Sequence, residues 1–177
     1  MEHNVLIAGS GGQGVMITGF LLANAAMDQD MKSSCMPAYG PEMRGGSANC
    51  TVVFSDKEIE TPLVGKNKAM ILMNSVSFDT FKDKIEDDGV IIVNSSLLAD
   101  EKAAAALKQA MLIPCNDIAL ELGDVRASNM VAIGALIQAT SCLKTENVLS
   151  SMAKSFAGKE KVIALNAKAI KAGMAAA

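Results

Sequence analysis

Three short runs of consecutive apolar residues, Val5-Leu6-Ile7-Ala8, Ala69-Met70-Ile71-Leu72-Met73 and Val90-Ile91-Ile92-Val93, punctuate the chain and are bounded by turn formers. That is the pattern of short strands, and the last two runs predict central parallel strands covered on both faces. Residues 47–54 alternate instead, with Cys50, Val52 and Phe54 out of phase with Asn49, Thr51 and Val53. Residues 31–39 form another extended segment, stopped by Gly40-Pro41, and the turn-rich connection predicts an antiparallel hairpin. A last short strand is expected at 111–114. Helical spacing follows the first strand to about Met27 and marks a charged helix over 77–86 and another over 100–109. Asn116 or Asp117 would cap a brief helix, and Ser128 or Asn129 a long uncharged one. Thr145-Glu146-Asn147 opens a further helix, and Val162, Leu165, Ala169 and Ile170 line one face of a closing amphipathic helix. The order of elements predicts one domain over 1–177: a three-layer α/β/α sandwich around a Rossmann-like mixed sheet with one antiparallel hairpin.

Composition constrains how that sandwich is filled. Half of the 177 residues are hydrophobic but only 3% are aromatic, with 14 Gly and 12 Met. The core is therefore expected to consist of Val, Ile, Leu, Ala and Met around closely approaching backbones. A net charge of -3 and few aromatics argue against a nucleic-acid binder. Residues 4–27 carry no charge, yet five glycines and several polar residues interrupt them, so no membrane span is expected there. The start Met1-Glu2-His3 lacks the basic region of a signal peptide, and a cytoplasmic protein is expected. Cys35, Cys50, Cys115 and Cys142 are separated by long intervals and read as small buried hydrophobes of a reducing compartment. With His3 the sole histidine, neither a metal site nor a histidine-dependent hydrolase is predicted.

Two segments carry chemical information. Gly9-Ser10-Gly11-Gly12-Gln13-Gly14 satisfies G-x-G-x-x-G between a strand and a helix, where glycines let a phosphate approach N–H groups at the positive helix end. A dinucleotide would also need an acid at the end of the second strand; Asp28 and Asp30 fall at the preceding helix end and Glu42 lies past a Gly-Pro turn. Three readings stay open: a nicotinamide or flavin dinucleotide, the phosphate of another ligand, or close packing alone. The second segment, Tyr39-Gly40-Pro41-Glu42-Met43-Arg44-Gly45-Gly46, sets an aromatic, a carboxylate and an arginine on a tight loop. Arg44 suits a phosphate or carboxylate, or pairs with Glu42 or across a subunit contact.

Together with Ser55-Asp56-Lys57-Glu58-Ile59 and Pro62, Asn129-Met130-Val131-Ala132-Ile133-Gly134-Ala135, and Asn166-x-x-Ala169-Ile170-x-x-Gly173, these segments make five motifs in order. Over nearly the whole chain they resemble the gamma subunit, or gamma domain, of the 2-oxoacid:ferredoxin (acceptor) oxidoreductases, with the 2-oxoglutarate enzyme the nearest expectation. Ala38 and Lys68 depart from the pattern, where relatives often carry Ser and Asp. The resemblance implies an enzyme that converts a 2-oxoacid to an acyl-coenzyme A and reduces ferredoxin. It also implies thiamine diphosphate and [4Fe-4S] clusters on alpha, beta and delta-type partners rather than on this chain. The chain itself would be a non-catalytic subunit, inactive alone and open to homodimer formation when isolated, which helps assembly and contacts coenzyme A. The residues expected at that contact are Gly9, Gly11, Gly12, Gln13, Gly14, Tyr39, Glu42, Arg44, Gly45 and Gly46. The alternatives are a free-standing NAD(P)- or flavin-binding reductase and an interaction module without a ligand.

Overall fold

The first apolar run becomes β1 (Glu2–Ser10) of a six-stranded sheet, seen in a computed structural model that describes residues 2–40 and 46–177. The other strands are β2 (Lys32–Tyr39), β3 (Ser47–Ser55), β4 (Asn67–Leu72), β5 (Ile85–Asn94) and β6 (Ala110–Ile113). Their order is β2-β3-β1-β4-β5-β6. The pairs β1–β4, β4–β5 and β5–β6 are parallel, while β3 is antiparallel to both β1 and β2. Only β3 runs against the other five, and the predicted hairpin is its pairing with β2.

Alternation along the strands creates two cores, because successive side chains point to opposite faces. Val5, Ile7, Cys50, Val52, Phe54, Ala69 and Ile71 face one side. There they meet α1 (Val15–Met27), α4 (Cys115–Glu121), α5 (Ser128–Thr140), α6 (Thr145–Ser155) and α7 (Glu160–Ala176). Leu6, Ala8, Met70, Leu72, Ile91 and Val93 face the other side, under Phe78 of α2 (Ser75–Phe81) and Ala104 of α3 (Glu101–Ala105). This is the three-layer sandwich expected.

Glycines do the work that aromatics do elsewhere. A Cβ on Gly19 would lie 2.5 Å from Cys50 Sγ, so the glycine lets α1 settle onto β3. Gly134 of α5 and Gly173 of α7 face each other's helices so closely that a Cβ on either would run into a partner carbonyl, that of Ile170 or of Val131. These contacts give the Asn129 and Asn166 motifs a packing reason. The outer side of α1 is covered by α6, where Ser151 Oγ donates to the Leu21 carbonyl at 3.0 Å, while Phe20 and Met27 stay exposed.

Several predicted boundaries move. The charged helix of 77–86 starts at Ser75, because Asn74 forms a capping box with Ser77, and ends at Phe81 with a 3-10 turn, Lys82–Lys84. The fifth strand starts at Ile85, paired with Asn67, so Glu86 belongs to a strand; the register shifts before Val90 meets Ala69. The helix expected over 100–109 is confined to Glu101–Ala105, capped by Asp100. Neither Asn116 nor Asp117 caps α4, which begins straight after Pro114. Nor does Ser128 or Asn129 cap α5, whose N-cap position is Ala127; a 3-10 turn, Val125–Ala127, leads into it, and Asp124 caps that turn by accepting from Arg126 N–H.

Candidate functional site

The C-terminal ends of β1, β2, β4, β5 and β6 share one rim, and β3 starts from it. In open α/β sheets this is where ligands bind. The glycine-rich turn leaves β1 there with Gly12 at φ 97° and Gly14 at φ 74°, conformations that L side chains rarely adopt. Gln13, expected at the ligand contact, is tied into the fold by its side chain. Its Oε1 accepts from Ser10 N–H at 2.6 Å and from Asn74 Nδ2 at 2.8 Å, and its Nε2 donates to the Met73 carbonyl at 3.2 Å. Gly11 N–H is also committed, donating to the Gly46 carbonyl at 2.9 Å, which joins the turn to the hairpin. Glu42, Arg44 and Gly45 lie outside the described residues.

The other predicted residues divide between two depressions. Gly9, Tyr39 and Gly46 line a cleft of ≈ 570 Å³ whose far wall is Ser77, Thr80 and Phe81. Gly12 and Gly14 line a groove of ≈ 270 Å³ on the opposite side of the turn. Asn129, Asn166, Arg126 and Lys159 complete that groove, so residues from three of the five sequence motifs meet there. Asn129 Nδ2 donates to Thr18 Oγ1 at 3.2 Å and to the Gly14 carbonyl at 3.4 Å, fixing the start of α1. No side chain caps that helix end, which carries the positive end of the helix dipole.

Arg126 and Lys159 supply the groove's cations. Arg126 forks onto Asp124, with Nη2 to Oδ2 at 2.6 Å and Nε to the same carboxylate at 2.9 Å. That contact holds the Asp124 carboxyl below the usual carboxylate range and raises the guanidinium further. Asp124 lines the same groove, so its carboxylate stands beside the two cations; Arg126 is exposed and Asp124 partly so, and a pair of this kind contributes little to stability. Sequence reading missed this pair because tertiary packing alone brings residues 126 and 159 to Gly12. The available signal was scarcity: Arg44 and Arg126 are the two arginines among 16 cationic residues.

A dinucleotide fold places the second strand parallel beside the first, with its terminal acid on the ribose. Here antiparallel β3 occupies that place and β2 lies at the edge. Asp28, at the far end of α1, is held by Lys154 Nζ at 2.7 Å. The Ser55-Asp56-Lys57 motif turns at the opposite end of the sheet, where Ser55 pairs with Glu2. Among the described residues no three His, Cys, Asp or Glu side chains gather to hold a metal ion, and no helix is long and apolar enough to cross a membrane.

Known proteins share this fold. The sequence pattern of the pyruvate ferredoxin/flavodoxin oxidoreductase family matches residues 4–176. The chain belongs to that family. Ketoisovalerate oxidoreductase subunit VorA of Methanothermobacter thermautotrophicus is 37% identical over 173 residues, covering 97% of this chain and 36% of the relative. The chain thus spans about a third of that protein's length. 2-Oxoglutarate synthase subunit KorC of Methanocaldococcus jannaschii is 32% identical over 152 residues, covering 84% of this chain and 80% of the relative. In fold, the chain matches the crystal structure of a keto/oxoacid ferredoxin oxidoreductase gamma subunit from Geobacter sulfurreducens with a TM-score of 0.81, at 24% identity over 98% of this chain and 97% of that one. The resemblance read from the motifs is thereby borne out at the level of family and fold.

Proposed function

We propose that this chain is the gamma subunit of a 2-oxoacid:ferredoxin oxidoreductase, acting with alpha, beta and delta-type partners in the cytoplasm, and that it seats coenzyme A. The observation that carries the coenzyme A half is the convergence of Gly12, Gly14, Asn129 and Asn166 with Arg126 and Lys159 in one groove at an uncapped helix start. N–H groups and cations at a helix N-terminus suit a phosphate-rich ligand. Thiamine diphosphate and the [4Fe-4S] clusters belong to the partners in this reading, since the described residues offer no ligand set for a cluster. The 2-oxoglutarate reading draws support from the KorC relative, which this chain matches over most of both lengths.

The test uses the assembled complex with the double variant Arg126→Ala, Lys159→Ala. Loss of two phosphate contacts is expected to raise KM for coenzyme A about tenfold, the equivalent of ~1.4 kcal/mol, while KM for the 2-oxoacid is unchanged. An unaltered KM for coenzyme A would remove the ligand role and leave the structural one. Failure of the tagged chain to draw alpha and beta partners from its own cells would remove the subunit role as well. Comparing 2-oxoglutarate, pyruvate and 2-ketoisovalerate as substrates of the purified complex decides the 2-oxoacid.

A further inference from the structure

Cys35 and Cys50, 15 residues apart in sequence, meet across the hairpin with their Sγ atoms 3.1 Å apart. The register sets Cys35 opposite Val52 and Cys50 opposite Pro37, making the two cysteines diagonal neighbours on one face of the β2–β3 pair. Cys35 is half-buried on the edge strand and Cys50 is buried behind it. A second observation shows that the fold makes room for this pair. Gly19 of α1 lies directly above it, where a Cβ would come 2.5 Å from Cys50 Sγ and 3.4 Å from Cys35 Sγ. The remaining cysteines differ: Cys115 and Cys142 are both buried, and burial pushes the Cys115 thiol up to about 12.

We propose that Cys35 and Cys50 form a reversible dithiol–disulfide pair that, when oxidised, pins the edge strand β2 to β3 beside the rim. Bond formation brings the sulfurs from 3.1 Å to about 2.05 Å and draws the two strands together at this diagonal. Hydrogen peroxide is the oxidant. The Cys35 thiolate attacks one peroxide oxygen, the O–O bond breaks, and Cys35 becomes a sulfenic acid as hydroxide leaves and is protonated to water. Cys50 sulfur then attacks Cys35 sulfur and, losing its proton, expels the hydroxyl as a second water. Two thiols and one peroxide thus give one disulfide and two waters, with two electrons passing to peroxide. A small dithiol reverses the change by exchange. Cys35, half-buried on the edge strand, is the group peroxide reaches first and hence the attacking one; its contact with Cys50 lowers the Cys35 thiol and raises that of Cys50. The disulfide acts on a strand that otherwise has a ladder on one side only, and Pro37 within it supplies no N–H. Its effect falls on the chain leading into residues 40–46, which carry the second sequence motif.

The full 177-residue chain is titrated with hydrogen peroxide, alkylated under denaturing conditions and mapped by mass spectrometry, with hydrogen exchange recorded on both forms. The expected result is loss of two hydrogens, a peptide link joining Cys35 to Cys50, and free thiols at Cys115 and Cys142. Dithiothreitol should reverse the link, and β2 amides should exchange about tenfold more slowly in the oxidised form. Cys50→Ala should leave Cys35 as a sulfenic or sulfinic acid with no internal link. The proposal is overturned by a different pairing, by a link between two chains, by sulfinic acid at Cys35 in the unsubstituted protein, by thiols that survive the titration, or by unchanged exchange in β2. The map of the unsubstituted chain decides the chemistry whether or not the variant folds.

Discussion

Replacing Gly134 with alanine sets two effects of opposite sign against each other. In the interior of a helix, alanine is favoured over glycine by ~0.5–1 kcal/mol, because glycine loses more backbone entropy on folding. Against this, the new methyl on α5 would collide with the Ile170 carbonyl oxygen and lie 2.8 Å from its carbon and 3.0 Å from Met174 N. All three are backbone atoms of α7, so no side chain can rotate away and the helices must separate. Separation loosens Val131 and Ile170, both fully buried. Overpacking of this kind costs typically ~1–3 kcal/mol, and a rigid backbone neighbour places it at the upper end. The net loss is about 2 kcal/mol, or a Tm lower by about 4–8 °C for a chain of this size. Urea unfolding followed by circular dichroism is the suitable assay, since the chain has no Trp and one Tyr. Gly65→Ala, where the methyl would meet nothing within 4 Å, is the control. A Gly134→Ala protein as stable as the parent would refute the reasoning, because it would mean that helix propensity outweighs the crossing.

Other expectations concern the rim and the N-terminal strand. Gln13→Ala removes the partner of Ser10 N–H and two further hydrogen bonds, and should cost about 2 kcal/mol in the same unfolding assay. His3 is held below its ordinary pKa of 6.5, first by burial and then by the Lys68 charge. Below about pH 6.5 the unfolded chain therefore binds a proton that the folded chain does not. The His3 contribution is complete above that pH, declines as pH falls, and levels off below the folded-state pKa. Melting curves from pH 7.5 to 5 should show a shallower decline for His3→Phe, and identical slopes would contradict it.

The parallel half of the sheet was legible because β4 and β5 are buried on both faces, and only consecutive apolar residues satisfy that position. The hairpin was legible from alternation and from Gly40-Pro41. The start of β5 was not, since Ile85 pairs with Asn67 across the charged, partly exposed stretch 86–89, which has no apolar pattern to read. The glycine turn was legible as a special backbone, but its internal hydrogen bonds were not. That Gln13 and Gly11 N–H bond inward depends on Met73, Asn74 and Gly46, which the fold supplies from elsewhere. The Arg126–Lys159 groove and the Cys35–Cys50 pair likewise exist only once distant segments have packed; for the cysteines, hairpin register converts a long interval into contact.

The reversal of one strand gives the molecule a direction. The chain climbs in β1, returns through α1, climbs again in β2 and descends in β3, so the parity of crossings sends the bend of the hairpin to the same end as the glycine turn. A body that docks on one pole therefore encounters both glycine-bearing loops together, and one that docks on the other encounters neither.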